Sequence, residues 1–140
     1  MKRILMIILI IILLTAGCTA PTPVTTLQSS PVESSEKAEY IKISAQKAKE
    51  IIDTGADILI VDVRTEEEFK QGHIPNAILI PDTQIRDLAA DMLVDLDQTI
   101  LIYCRSGNRS RTASKILIDM GYTNVMDFGG ILDWPYEIVK

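Results

Sequence analysis

The stretch "TILIYCRSGNRS", Thr99 to Ser110, decides how this chain is read. Its first part, Thr99 to Tyr103, is a short apolar run, as expected of a strand buried on both faces of a sheet. Beyond it, Ala113, Ile116, Leu117 and Met120 recur at i, i+3, i+4 and i+7, the spacing of one helix face. Gly121 supplies the stop. The helix is predicted to begin near Ser110. Cys104 thus follows a strand and precedes a helix, beyond the carboxyl end of the strand, where open α/β sheets collect their ligands. Three readings of Cys104 are open at this point: nucleophile, metal ligand or core filler.

Working outward, the same alternation recurs. "YIKI" (Tyr40–Ile43) reads as a short strand. Ser44 caps a helix whose Ala45, Ala48, Ile51 and Ile52 share a face and which ends before Gly55. "DILIVDV" (Asp57–Val63) is a buried strand. Thr65 to Glu68 is a capping box opening a short helix that Gly72 closes. "AILI" (Ala77–Ile80) is a strand between Pro75 and Pro81, and Ile85, Leu88, Ala89 and Met92 give a third helical stripe. "VMDF" (Val125–Phe128) is the last strand. Strands alternating with helices predict an α/β fold with a parallel central sheet of about five strands and helices on both faces.

Composition limits the partners. The 140 residues carry a net charge of −5, and both charges in residues 1–17 are basic, Lys2 and Arg3. From Cys18 onward, 12 basic residues face 19 acidic ones. Such a domain does not bind nucleic acid through phosphates. The two cysteines, Cys18 and Cys104, sit in separate signatures. No CxxC is present and His73 is the single histidine, so a zinc site, which needs about four ligands, is not expected. Neither a metal nor another cofactor is implied.

The loop itself favours the nucleophile. If Cys104 to Arg109 wraps over a helix N-terminus, successive backbone N–H groups point inward and form an anion-binding nest. The helix dipole adds positive charge, and Arg105 and Arg109 add more. Gly107 can take the positive φ that a tight loop needs. All of this stabilises a thiolate. A nucleophilic cysteine in an anion-holding cradle suits a substrate with a negatively charged leaving group.

At this point the residues resemble a known family. "CRSGNRS" (Cys104–Ser110) is similar to the active-site loop of single-domain rhodaneses, the thiosulfate-type sulfurtransferases. "VDVRTEEEFKQGHIPNAILIP" (Val61–Pro81) and "DFGGILDW" (Asp127–Trp134) resemble further segments of the family in the family's order, so the resemblance spans residues 40–140. It implies a rhodanese-like fold and a double displacement. Cys104 takes the outer sulfur of a small anionic donor such as thiosulfate and carries it as a persulfide. A thiol or cyanide acceptor then removes it. The loop amides of Arg105, Ser106, Gly107, Asn108 and Arg109 hold the anionic donor and the persulfide. One alternative is a cysteine phosphatase, but those use C-x5-R, whereas Cys104 to Arg109 is C-x4-R, a smaller cradle, and no general acid for a leaving alcohol stands out. The other is a non-catalytic binding or redox-sensing module in which Cys104 is oxidised reversibly.

The amino end differs in kind. "MKRILMIILIIILLTAGC" places two basic residues before an 11-residue apolar run, Ile4 to Leu14. A spanning helix needs about 20 such residues, a signal-peptide core about 7–15. "LTAGC" resembles the lipobox of bacterial lipoproteins, with Thr15 where the motif more often has Leu. The resemblance implies a lipoprotein signal peptide over 1–17 and a diacylated Cys18 at the mature N-terminus, a stable anchor. The alternative is an uncleaved signal anchor. Residues 18–39 are rich in Ser, Thr and Pro and read as a disordered tether, spanning roughly 25 Å at about 5–6 Å × √n. The expected location is the cell membrane, with the domain facing outside the cytoplasm.

Other polar residues are assigned to structure. His73 reads as an ordinary backbone-bonded histidine, Asp62 and Arg64 as an ion pair bracing the Cys104 loop, Trp134 as a wall of the core or pocket, and Glu66–Glu68 as a solvated first helical turn.

Overall fold

A computed structural model describes residues 38–140. The expected signal peptide over 1–17, Cys18 and nearly all of the expected tether lie outside the described residues. Five strands alternate with four helices: β1 (Ile41–Lys42), α1 (Ala45–Asp53), β2 (Ile58–Asp62), α2 (Glu66–Gln71), β3 (Ala77–Leu79), α3 (Ile85–Met92), β4 (Thr99–Cys104), α4 (Asn108–Asp119) and β5 (Val125–Gly130). Short 3₁₀ turns at Asp82–Gln84 and Ile131–Asp133 have no counterpart in the sequence reading.

Local signals fix most of these boundaries. The Ser44 hydroxyl accepts from the Lys47 N–H at 3.1 Å and starts α1. Thr65 and Glu68 complete a reciprocal capping box at α2. The strands form one parallel sheet in the order β1-β5-β4-β2-β3. From β2 the chain moves outward to β3; from β4 it moves the other way, to β5. The switch point therefore lies between β4 and β2, and their carboxyl ends flank the crevice where such sheets bind ligands.

The pleat sorts the core into two layers. Val61 and Val63 of the β2 segment and Ile100, Ile102 and Cys104 of β4 face α3 and α4, packing with Ile85, Ala89, Ala113 and Leu117. Ile60, Leu101 and Tyr103 face the other way, with Ala48 of α1, Ile74, Phe128 and Trp134. The helices lie on both faces, as the alternation predicts. Among the described residues, no helix is long and apolar enough to cross a membrane.

Candidate active site

Cys104 is the last residue of β4 and belongs to the side-chain row of Ile100 and Ile102. Period-two alternation aims its thiol at the α4 layer, under the first turn of that helix. The residue is fully buried. Beside it the ladder between β4 and β5 shifts register: Ile102 pairs with Asp127, but Tyr103 pairs with Gly129 and Cys104 with Gly130. The extra residue, Phe128, turns into the opposite core layer. Such a bulge re-aims a strand end next to a site.

The helix begins two residues earlier than its side chains suggest. Asn108 and Arg109 already belong to α4, and Gly107 is its N-cap at φ 96°, a left-handed conformation that glycine takes freely. The cradle is therefore a three-residue turn, Arg105–Gly107, leading into a helix N-terminus. The Gly107 N–H points at Cys104 Sγ at 3.0 Å. Burial pushes the Cys104 thiol up. Hydrogen bonds from the Ser110 amide and hydroxyl, then from the Gly107 and Ser106 amides, outweigh it, and the thiol lies below its ordinary value. Sequence reasoning credits the two arginines with much of this effect; the larger contributions come from amides and one hydroxyl. It also misses Ser110, which is fully buried and whose hydroxyl donates to Asp127 Oδ1 at 2.8 Å and lies 3.3 Å from the Gly129 carbonyl.

Arg109 faces a carboxylate. Its guanidinium donates to both oxygens of Glu68, at 2.8 and 2.9 Å. The same Glu68 Oε2 accepts the Thr65 N–H of the capping box at 3.0 Å. Glu68 is thus not merely solvated, as expected, but ties the start of α2 to the start of α4 across the switch point. The Arg109 hydrogen bonds hold the Glu68 carboxyl down at about 2, against an ordinary 4.5. The folded state prefers the carboxylate, so this contribution to stability is complete above about pH 4.5 and is lost as pH falls toward 2. Glu68→Gln is expected to flatten the urea-midpoint profile in that window while lowering stability at pH 7 by about 1–2 kcal/mol, the value of a partly exposed bidentate pair. Parallel acid limbs in the two proteins would show that the pair contributes nothing.

Comparisons with known proteins identify the family. Residues 44–136 match the family model described as a rhodanese-like domain. The chain belongs to the rhodanese family. It is 38% identical over 80 residues to the thiosulfate sulfurtransferase PspE of Escherichia coli, covering 57% of this chain and 77% of PspE. The putative sulfurtransferase YtwF of Bacillus subtilis is 34% identical over 100 residues, covering 71% of this chain and 94% of YtwF. A solved structure described as rhodanese with anions, from E. coli, superposes with a TM-score of 0.56 at 36% identity, covering 59% of this chain and 96% of that one. With these relatives the protein is an enzyme of the rhodanese sulfurtransferase type.

In this rhodanese the remaining predicted residues divide clearly. The side chains of Arg105, Ser106 and Asn108 are exposed around the cradle, while Gly107 is buried beneath it. The Arg105 carbonyl accepts from the Leu132 N–H at 3.3 Å, which pins the loop to the 3₁₀ turn after β5. Asp62 and Arg64 do form a buried ion pair, with Arg64 Nη2 2.7 Å from Asp62 Oδ2. It does not touch the Cys104 loop. Arg64 instead donates to the Gly72 carbonyl at 2.7 Å and lies over the Tyr103 ring, so the pair braces the turn after α2. His73 stacks on Phe69 and exchanges backbone hydrogen bonds with Val139, a structural role as expected. Trp134 packs against Phe128 in the α1 layer of the core.

Proposed function

We propose that this rhodanese moves sulfane sulfur from a small anionic donor such as thiosulfate to a thiol or cyanide through a persulfide on Cys104. The observation that carries the reading is the Cys104 sulfur, held below the α4 N-terminus with the Gly107 N–H at 3.0 Å and its thiol lowered by surrounding donors. In the first half-reaction the Cys104 thiolate attacks the outer sulfur of thiosulfate. The S–S bond of the donor breaks, sulfite leaves with its electron pair, and Cys104 keeps one added sulfur. In the second, the acceptor attacks that terminal sulfur and the Cys104 thiolate departs. Loop amides from Arg105 to Arg109 offset the charge of donor and persulfide. The bidentate Glu68 partner largely neutralises Arg109, so amides and helix dipole carry most of this work. PspE is named a thiosulfate sulfurtransferase, and that relationship supports the choice of donor.

The domain is proposed to act at the cell membrane outside the cytoplasm, attached through lipid on Cys18 after removal of residues 1–17. The order of basic residues, short apolar run and "LTAGC" supports this. Mass spectrometry of the protein purified from membranes and treated with thiosulfate tests both statements. The expected spectrum shows one added sulfur on the peptide bearing Cys104 and a diacylglyceryl adduct on an N-terminal Cys18. An unchanged Cys104 peptide overturns the persulfide. An intact, unmodified residue 1–20 segment overturns the anchor.

A further inference from the structure

A cavity of about 660 Å³ adjoins the cradle, between the end of β1, the start of α1 and the turn after β5. Clefts of this size hold small organic ligands, and neither thiosulfate nor cyanide needs so much room. Two of its lining residues, Ser106 and Gly107, belong to the cradle itself. The Gly107 N–H faces Cys104 Sγ at 3.0 Å. On the Cβ side of the same residue stands the Lys42 ammonium, 3.8 Å from where a Cβ would be. A wall one backbone thick, about 5 Å, thus separates the cavity from the reacting atom.

The charged side chains lining the cavity are Lys42, Arg111 and Asp133. Lys42 touches Asp127 Oδ2 at 3.3 Å, but that carboxylate already accepts from the Tyr40 and Ser110 hydroxyls and the Gly129 N–H at 2.6–2.8 Å. The Lys42 side chain is 46% exposed, and an ammonium has three protons to donate, so two remain. Arg111 is exposed beside the Tyr40 hydroxyl, a neutral group. Among the described residues it pairs with no carboxylate, and Asp133 pairs with no cation, whereas Arg109 is held by Glu68. The cavity therefore offers donors for a carboxylate and an acceptor for an ammonium, next to the sulfur.

We propose that this cavity is the acceptor subsite and takes a small zwitterionic thiol, a short cysteine-containing peptide, its carboxylate on Lys42 and Arg111 and its ammonium on Asp133. The proposal rests on the reading of Cys104 as the sulfur carrier. Reach sets the size of the ligand. Two residues of extended chain span roughly 7 Å, enough to cross the wall at Ser106 and Gly107 with the carboxylate still held. The persulfide adds about 2 Å from its own side. The acceptor thiol first gives its proton to solvent. Its thiolate attacks the outer sulfur, the S–S bond of the persulfide breaks, and Cys104 leaves as a thiolate with the electron pair. The acceptor departs as a persulfide, and no oxidant or reductant is consumed.

The test uses full-length protein in detergent and two probes of equal length, cysteinylglycine and the uncharged N-acetyl-cysteinylglycinamide. Binding is measured first, by ligand-observed NMR titration of their unreactive S-methyl forms. The zwitterion is expected to bind at least about tenfold more tightly than the uncharged probe, the value of charge-assisted hydrogen bonds in a half-open cleft. Arg111→Gln is expected to weaken the zwitterion about fivefold, and Arg111→Lys to restore most of the loss. Asp133→Asn is expected to weaken cysteinylglycine about threefold and to leave N-acetyl-cysteinylglycine, which lacks the ammonium, unmoved. Turnover of thiosulfate with the free thiols is expected to show the same preference in KM for the acceptor, and Arg111→Gln to raise that KM and not the KM for thiosulfate. Equal binding of the two S-methyl probes overturns the proposal, as does a zwitterion whose affinity ignores both Arg111→Gln and Asp133→Asn. The titrations need no sulfur transfer, and persulfide formation is scored separately by mass. A protein that forms the persulfide but binds both probes alike loses the subsite alone. One that binds the zwitterion but never forms the persulfide loses the sulfur carrier, and the acceptor role of the cavity with it.

Discussion

Cys104→Ser is expected to reduce thiosulfate:cyanide turnover at least about 10³-fold, to the uncatalysed background, while leaving the urea midpoint close to that of the wild type. The two readouts separate because the substitution changes one atom. The serine oxygen can occupy the same cradle and accept from the Gly107 N–H that now meets the sulfur at 3.0 Å. The β4–α4 junction therefore keeps its hydrogen bonds. Chemistry is another matter. The surrounding donors hold the thiol below its ordinary value, but they cannot bring a hydroxyl into the range of a thiol, and oxygen does not carry a transferable sulfane sulfur. Retained turnover in a well-folded Cys104→Ser protein would remove Cys104 from the reaction and with it the proposed persulfide.

The architecture was legible because its signals are local. The apolar run of Thr99–Tyr103, the i, i+3, i+4 stripe of α4, the Ser44 cap and the Thr65–Glu68 capping box each lie within a few residues, and each forms as expected. The start of α4 was displaced for a physical reason. Its true N-cap, Gly107, offers no side-chain acceptor, whereas Ser110, three residues on, is a residue type that marks helix starts. The site was only half legible. Its cysteine, glycine and loop amides are contiguous. The partners that set its electrostatics come from afar: Glu68 meets Arg109 across 41 positions, and Asp127 meets Ser110 across 17. No periodicity or spacing reports such contacts. In "TEEEF" the role of Glu68 as a cap is visible, but the second use of the same carboxylate oxygen is visible only once the sheet has folded. The N-terminal reading concerns residues beyond the described ones and rests on the sequence alone.

Gly130→Ala is expected to be the most damaging substitution that leaves every polar group of the site in place. Gly130 is the ladder partner of Cys104. Its backbone, at φ −121° and ψ 148°, is ordinary extended chain, so alanine brings no conformational strain there. What it brings is a methyl group without space. An added Cβ stands 2.3 Å from the Arg105 carbonyl oxygen, 2.6 Å from the Ser106 Cα and 2.8 Å from the Arg105 carbonyl carbon. All three are backbone atoms, so no side chain can rotate away. The first turn of the cradle must shift by about 1 Å, and displacements of that size near reacting atoms cost about 10²-fold in rate. The Ser106 and Gly107 amides that stabilise the sulfur belong to the displaced segment, so the Cys104 thiol is expected to rise at the same time. Overpacking of this kind costs about 1–3 kcal/mol of stability. The measurement pairs turnover and thiolate absorbance with urea unfolding, all well below the melting temperature. A fully folded Gly130→Ala protein with wild-type turnover and an unmoved thiol midpoint would show that the sulfur is not held by the close approach of β5 to the loop.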